Sequence, residues 1–72
     1  MAEVERDKDL TVREREILEH IFAGLINKGI AEALGITEGT VRIDVSNILH
    51  QLGVSLRTQA VTVALKRGLL RS

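Results

Sequence analysis

Residues 27–51 read NKGIAEALGITEGTVRIDVSNILHQ and decide the fold. Two segments in this stretch, 28–34 and 38–52, carry apolar residues at three- and four-residue spacing, which predicts two helices. Only the three residues GIT connect them, a link short enough to force a steep crossing angle. Gly35 can adopt the positive φ that such a reversal needs, and Ala31 is small where the helices approach. The stretch therefore predicts a helix-turn-helix, although small bundles also contain such corners.

Two further helices flank this corner, at approximately 12–23 and 56–67. Thr11 and Glu14 have the spacing of a capping box at the start of the first helix. The N-caps that we predict for the four helices are Thr11, Asn27, Thr37 and Ser55. A glycine follows or closes each helix, and no alternating strand pattern competes. The fold class is therefore all-α, a four-helix bundle.

The predicted core uses the apolar stripe of each helix. The inward residues are Ile17, Leu18, Ile21, Phe22, Leu25, Ile30, Ala31, Leu34, Val41, Val45, Ile48, Leu49, Leu52, Ala60, Val61, Ala64 and Leu65. Residues 1–9 are charged without a periodic apolar face, so we interpret them as an arm or linker stub. Residues 10–72 form the predicted domain.

Composition excludes several classes of function. The 72 residues suffice for one small domain, and the absence of cysteine rules out disulfides and thiolate chemistry. His20 and His50 lie far apart in sequence, no Glu or Asp spacing around them makes a metal motif, and no glycine-rich phosphate loop follows a strand. We therefore expect no enzyme activity, cofactor, metal site or small-molecule ligand in this domain. With no membrane-spanning run or secretory signal, a cytoplasmic location is expected.

Charge is distributed unevenly although the formal net charge is zero. Residues 1–20 hold seven acids and four bases, whereas residues 21–72 hold three acids and six bases. A polyanionic partner would therefore contact the second part of the chain. Arginine is the commoner base, and its planar fork suits phosphates and guanine edges.

The chain from residue 10 to residue 70 resembles the LuxR/NarL/GerE family of bacterial helix-turn-helix domains. The residues that carry the likeness read LTVRERE (10–16), LGITEGTV (34–41), VSNIL (45–49), QLGV (51–54) and RTQAV (57–61), together with Gly24, Leu25, Asn27, Lys28, Ile30, Ala31 and the terminal RGLL (67–70). The resemblance implies a four-helix DNA-binding domain of a transcription regulator, with its third helix reading DNA and its fourth serving dimerisation. Such a domain belongs either to a longer response regulator or ligand sensor, or to a stand-alone regulator.

Four positions depart from the family pattern. Val12 stands where the family usually has Pro, Gly29 where it has Glu, and Leu56 at a position that is often polar. Asp44 replaces a non-acidic residue in the third helix. If it faces phosphate it would weaken DNA binding, and if it faces a base it could accept from cytosine N4. It could also orient Arg42 or another neighbour, and we favour a local, mildly weakening role.

The predicted reading face of the third helix points away from its apolar stripe. Arg42 can donate two hydrogen bonds to guanine or bind a phosphate, and Ile43 can contact a thymine methyl group. Ser46 and Asn47 can donate to phosphates or base edges. The resemblance supports Arg42, Ile43 and Ser46 as base-reading positions.

Phosphate contacts are expected at the starts of the second and third helices, where free N–H groups and a positive dipole end face outward. Gly29 and Gly39 both fall at the second position of their predicted helices, where bare backbone could approach an anion, or they are simply tolerated there. The residues assigned to this role are Asn27, Lys28, Thr37, Gly39 and Thr40.

The fourth helix predicts a homodimer, formed either in solution or only on DNA. On a wheel of about 100° per residue, Leu56, Val63 and Arg67 share an edge that the core does not need. A two-fold pair would require an inverted-repeat DNA site. The alternative function is a helical protein-interaction module that binds RNA polymerase or another regulator without DNA contact. The salt dependence of binding to random duplex DNA distinguishes the two.

Overall fold

A computed structural model describes residues 10–70, and the predicted arm at residues 1–9 lies outside this range. Four helices follow one another along the chain. They are α1 (Val12–Phe22), α2 (Asn27–Leu34), α3 (Glu38–Leu52) and α4 (Arg57–Lys66). The described residues contain no strand. The predicted all-α class is confirmed, and each helix boundary lies within one residue of its expected position.

Side-chain caps begin α1 and α3 as the sequence predicts. Thr11 Oγ1 accepts from the Glu14 N–H at 3.0 Å, and the Glu14 carboxylate accepts from the Thr11 N–H at 2.9 Å. Thr37 Oγ1 accepts from the Thr40 N–H at 3.1 Å. These bonds satisfy N–H groups that have no partner inside the helix.

The predicted caps of α2 and α4 are wrong by one residue. Asn27 is the first residue of α2, and the N-cap is Ile26, which makes no side-chain cap bond. Leu56, rather than Ser55, is the N-cap of α4. Gln59 Oε1 accepts there from the N–H groups of Ser55 and Leu56, both at 3.1 Å, so a side chain inside the helix bonds the backbone just before it, and the expected cap bond from Ser55 to the first turn is replaced.

The hydrophobic core lies between α3 and the other three helices, each of which α3 contacts. The buried apolar residues are Leu10, Ile17, Leu18, Ile30, Ala31, Val41, Val45, Ile48, Leu52, Ala60, Ala64 and Leu70. Phe22, which we expected inside, is 43% exposed. It is the last residue of α1, and its neighbour Ile21 packs against the core instead.

The corner between α2 and α3 depends on Gly35. Its φ of +70° is in the left-handed region, where a residue with a Cβ is strained. The Ile36 N–H donates to the Ala31 carbonyl at 3.0 Å across this turn. Ile36 is then partly buried against the core. The turn thereby directs the start of α3 away from α2 and leaves one side of α3 uncovered.

Candidate nucleic-acid interface

α3 divides into a buried stripe and an exposed stripe. Val41 and Ile48 are fully buried, and Val45 and Leu52 nearly so. The exposed stripe consists of Arg42, Ile43, Ser46 and Asn47, as the periodicity predicts. Ile43 is 63% exposed, so it contributes little to the core and leaves an aliphatic group available to a partner. The stripe therefore presents one cation, one apolar group and two hydrogen-bonding groups within two helical turns.

The start of α3 lies beside this exposed stripe. Thr37 and Thr40 are joined through their hydroxyl oxygens at 3.0 Å, and Thr37 also accepts from the Thr40 N–H. Of the first N–H groups of the helix, those of Glu38 and Gly39 have no intrahelical acceptor. Gly39 is the second residue of α3, as expected, and an added Cβ would meet only Thr37 Oγ1 at 3.8 Å. This end of the helix can therefore donate to an anion from open backbone.

Gly29 does not occupy the equivalent position in α2. It is the third residue of that helix and is half-buried. A Cβ at this position would lie 3.6 Å from two atoms of the Leu25 side chain, which is ordinary van der Waals contact. The expectation that Gly29 offers open backbone at the second helical position is wrong, because α2 begins one residue earlier than predicted.

The start of α2 carries a cation that the sequence analysis missed. Arg57, the first residue of α4, donates from Nη2 to Asn27 Oδ1. Lys28 is exposed beside this pair, and both cations line one surface depression with Asn27 and Glu38. The Asn27 side chain is therefore engaged with Arg57 rather than free. Arg57 was visible in the sequence only as part of the RTQAV stretch, which gives no sign of its distant partner.

Asp44 does not lie on the exposed stripe. It is 7% exposed, and its Oδ2 atom lies 2.9 Å from Arg13 Nε on α1. No well-aligned hydrogen bond reaches this oxygen from the described residues, so charge attraction rather than directional bonding holds the pair. Of our alternatives, contact with a base or with phosphate does not fit this burial, and the neighbour that Asp44 engages is Arg13 rather than Arg42.

A second polar contact links the same two helices. Gln51 Nε2 on α3 lies 3.4 Å from each carboxylate oxygen of Glu14 on α1. Glu14 is only 8% exposed, although it is charged and stands in the first turn of a surface helix. The first turn of α1 therefore contacts α3 at two points, Asp44 and Gln51, which lie on one side of that helix.

The proposed dimer edge of α4 is only partly exposed. Leu56 is 59% exposed and Arg67 is exposed, but Val63 is half-buried against the core. Leu56 has extended backbone, with φ −124° and ψ 149°, and so precedes the helix. A helical wheel does not apply to it, and the expectation that Leu56 and Val63 stand exposed together on one edge is therefore wrong.

Nothing in the described range suggests a metal centre or a membrane span. No group of three or more histidine, aspartate and glutamate side chains there could hold a metal ion. None of the four helices is long and apolar enough to cross a membrane.

Known proteins share both the sequence pattern and the fold of this chain. A family model described as "Bacterial regulatory proteins, luxR family" matches residues 8–64. Transcriptional regulatory protein LnrK of Bacillus subtilis (strain 168) is 53% identical over 60 residues, which are 83% of this chain and 27% of LnrK. The chain spans about a third or less of the length of LnrK and of two further regulators from that organism, at 27%, 33% and 31%.

Two solved structures share the fold. The transcription factor GerE superposes with a TM-score of 0.83 at 44% identity, covering 86% of this chain and 92% of GerE. The response regulator ChrA of a heme-sensing two-component system gives a TM-score of 0.83 at 41% identity, covering 85% of this chain and 30% of ChrA. The chain therefore belongs to the luxR family of bacterial regulatory proteins, and it is a helix-turn-helix DNA-binding domain of the kind that serves transcription regulation.

Proposed function

We propose that this domain binds a specific double-stranded DNA site with α3 in the major groove, as the output domain of a transcription regulator. The observation that carries the proposal is the exposed stripe of Arg42, Ile43, Ser46 and Asn47, opposite a fully packed stripe on the same helix. A helix with one side anchored in a core and the other side free can enter a groove without unfolding.

The chemistry of the stripe suits base edges. Arg42 can donate two hydrogen bonds to guanine O6 and N7, the commonest specific contact in the major groove. Ile43 can contact a thymine methyl group, since its side chain is mostly exposed. Ser46 and Asn47 lie one turn further along and can reach either a base edge or a phosphate.

Phosphate contacts would come from the helix starts and the cations beside them. The assigned groups are the backbone and side chains at Thr37, Gly39 and Thr40, and Asn27 with Lys28 at the start of α2. Arg57 adds a second positive charge at that point, since its guanidinium is bonded to Asn27. Local positive charge of this kind can support DNA binding even though the formal net charge of the chain is zero.

The oligomeric state and further partners belong to the same proposal. Two copies would pair through the surface around α4, where Leu56 before the helix and Arg67 after it are exposed and Val63 is half-buried, and would bind an inverted-repeat site as a homodimer. The two copies need to pair only on DNA, because a domain bound at one half-site raises the effective concentration of a second domain at the other half-site. RNA polymerase is the expected protein partner of a regulator, and the cytoplasm is its expected location.

The salt dependence of DNA binding tests the proposal. Binding of the domain to a fluorescent random-sequence duplex is measured by anisotropy across a range of salt concentrations. The logarithm of the binding constant should fall linearly with the logarithm of salt, because phosphate contacts release counterions. Arg42→Ala is compared with Arg15→Ala, a change of equal charge on the exposed surface of α1. Absence of salt-dependent binding would instead favour the protein-interaction module.

A further inference from the structure

The contact between Arg13 and Asp44 joins the first turn of α1 to the reading helix. Asp44 Oδ2 is buried, whereas the Arg13 side chain is 51% exposed. The atom nearest the carboxylate is Nε, the innermost nitrogen of the guanidinium. The two terminal nitrogens therefore lie further out along a side chain that reaches solvent. Because a guanidinium has five N–H donors, the pair leaves donor capacity available.

Asp44 places this guanidinium on one flank of the exposed stripe. Asp44 directly follows Ile43 and precedes Asn47 by three residues, so it lies within one helical turn of both. The start of α2 stands on the other flank, since Glu38 lines the same depression as Asn27 and Lys28. At about 100° per residue, Glu38 and Asp44 point about 120° apart across the buried side of α3.

The dimensions of the major groove make both flanks important. A helix with its side chains is about 10–12 Å wide, and the groove is about 12 Å wide. A helix seated in the groove therefore has a phosphate backbone close to each side. With α3 seated in the groove, the start of α2 would face one backbone, and a cation on the Asp44 side would face the other.

We propose that Arg13 contacts a DNA phosphate on the side of the groove opposite α2, and that Asp44 is a positioning residue that holds Arg13 there. This proposal rests on the proposed placement of α3 in the major groove. The acidic residue of the reading helix then has a supporting role, because Arg13 offsets its charge and its attraction keeps the guanidinium on this flank of α3.

The experiment measures the salt slope of binding to a random-sequence duplex for the wild type, Arg13→Ala, Asp44→Asn and the double variant. Arg13→Ala should reduce the slope by about 1, the value for one lost phosphate contact. At 0.1 M salt this corresponds to roughly tenfold weaker binding. Arg15→Ala, two residues along α1, is the matched control and should leave the slope unchanged. Arg13→Lys should retain most of the salt slope, since a phosphate contact depends on the positive charge more than on the planar shape of the guanidinium.

The positioning role has its own readout. Asp44→Asn should weaken binding when Arg13 is present and have no effect on binding when Arg13 is already Ala. The double variant also removes both charges together, so it avoids leaving a buried carboxylate alone and keeps the test valid if Arg13→Ala fails to fold. Thermal melts monitored by circular dichroism establish that each variant is folded at the temperature of measurement.

Two results would overturn the proposal. One is an unchanged salt slope in the folded Arg13 variants. The other is tighter binding of Asp44→Asn in both backgrounds, which would mean that the carboxylate simply repels DNA. In either case the wild type still binds duplex DNA, so the proposed function survives. Failure of the wild type to bind any duplex at low salt would remove both proposals.

Discussion

Glu14 and Gln51 fasten the first turn of α1 to the last turn of α3. Gln51 Nε2 lies 3.4 Å from both carboxylate oxygens of Glu14, and the same carboxylate accepts from the Thr11 N–H. One buried acid therefore caps α1 and also restrains α3. Together with the pair of Arg13 and Asp44, this contact restrains rotation of α3 about its own axis, which decides which side chains face outward.

Removing this carboxylate should destabilise the fold. We expect Glu14→Ala to lower the free energy of unfolding by about 1–2 kcal/mol, because the Thr11 N–H loses its acceptor and Gln51 loses its partner. Glu16→Ala, at an exposed position of the same helix, should change it by less than about 0.5 kcal/mol. Urea unfolding followed by circular dichroism measures both, and equal values would show that neither the cap nor the contact with α3 contributes to stability.

Arg42→Ala should separate base reading from phosphate contact. On a DNA site obtained by selection in vitro, we expect a loss of about 1–3 kcal/mol in binding free energy if Arg42 reads a base. The loss on random duplex should be smaller, because a base contact is made only at its cognate site. Competition binding on the two duplexes measures the difference. An equal loss on both would assign Arg42 to a phosphate.

Ile43 and Ile48 should behave oppositely although they differ by little in sequence position. Ile43 is 63% exposed and Ile48 is fully buried. Ile43→Ala should leave stability within about 0.5 kcal/mol of the wild type and weaken binding at sites with thymine in the contacted position. Ile48→Ala should cost about 2–5 kcal/mol of stability, because it leaves a cavity in the core. Thermal melts and binding to thymine and uracil duplexes are the measurements.

Leu56→Glu tests the proposed dimer more selectively than Val63→Glu does. Leu56 is exposed, so the change should leave the fold intact, whereas Val63→Glu would also place a charge against the core. We expect Leu56→Glu to abolish cooperative binding of two domains to an inverted repeat. Thr62→Glu, at an exposed position within α4, is the control. Gel-shift experiments measure how many domains bind each site and how cooperatively they do so. Undiminished cooperativity in Leu56→Glu would place the interface elsewhere.

Gly35→Ala and Gly29→Ala should change stability in opposite directions. Gly35 has φ +70°, so an added Cβ strains the turn, and we expect a loss of about 1–2 kcal/mol. Gly29 is helical with room for a Cβ beside Leu25, so alanine there should stabilise by about 0.4–1 kcal/mol. Urea unfolding of both variants measures the effect, and stabilisation by Gly35→Ala would contradict the assigned backbone conformation.

The sequence by itself determined the helices, the corner and the exposed stripe of α3. These features depend on interactions between residues a few positions apart. The capping box of Thr11 and Glu14 is one such local pair, and the three-residue link at Gly35 is another. The stripe of Arg42 and Ile43 followed from the same periodicity, because whatever faces away from the apolar residues of a helix is exposed.

Only the tertiary structure decided the partners of Asp44, Glu14 and Asn27. Each of these residues pairs with a side chain on another helix, about 30 positions away or more in the chain. Periodicity within one helix gives the direction of a side chain but not what stands opposite it. The sequence therefore left open whether Asp44 faces DNA or a neighbouring side chain, and the packing of α1 placed Arg13 beside it. The role of Arg57 likewise became visible only where α4 meets the start of α2.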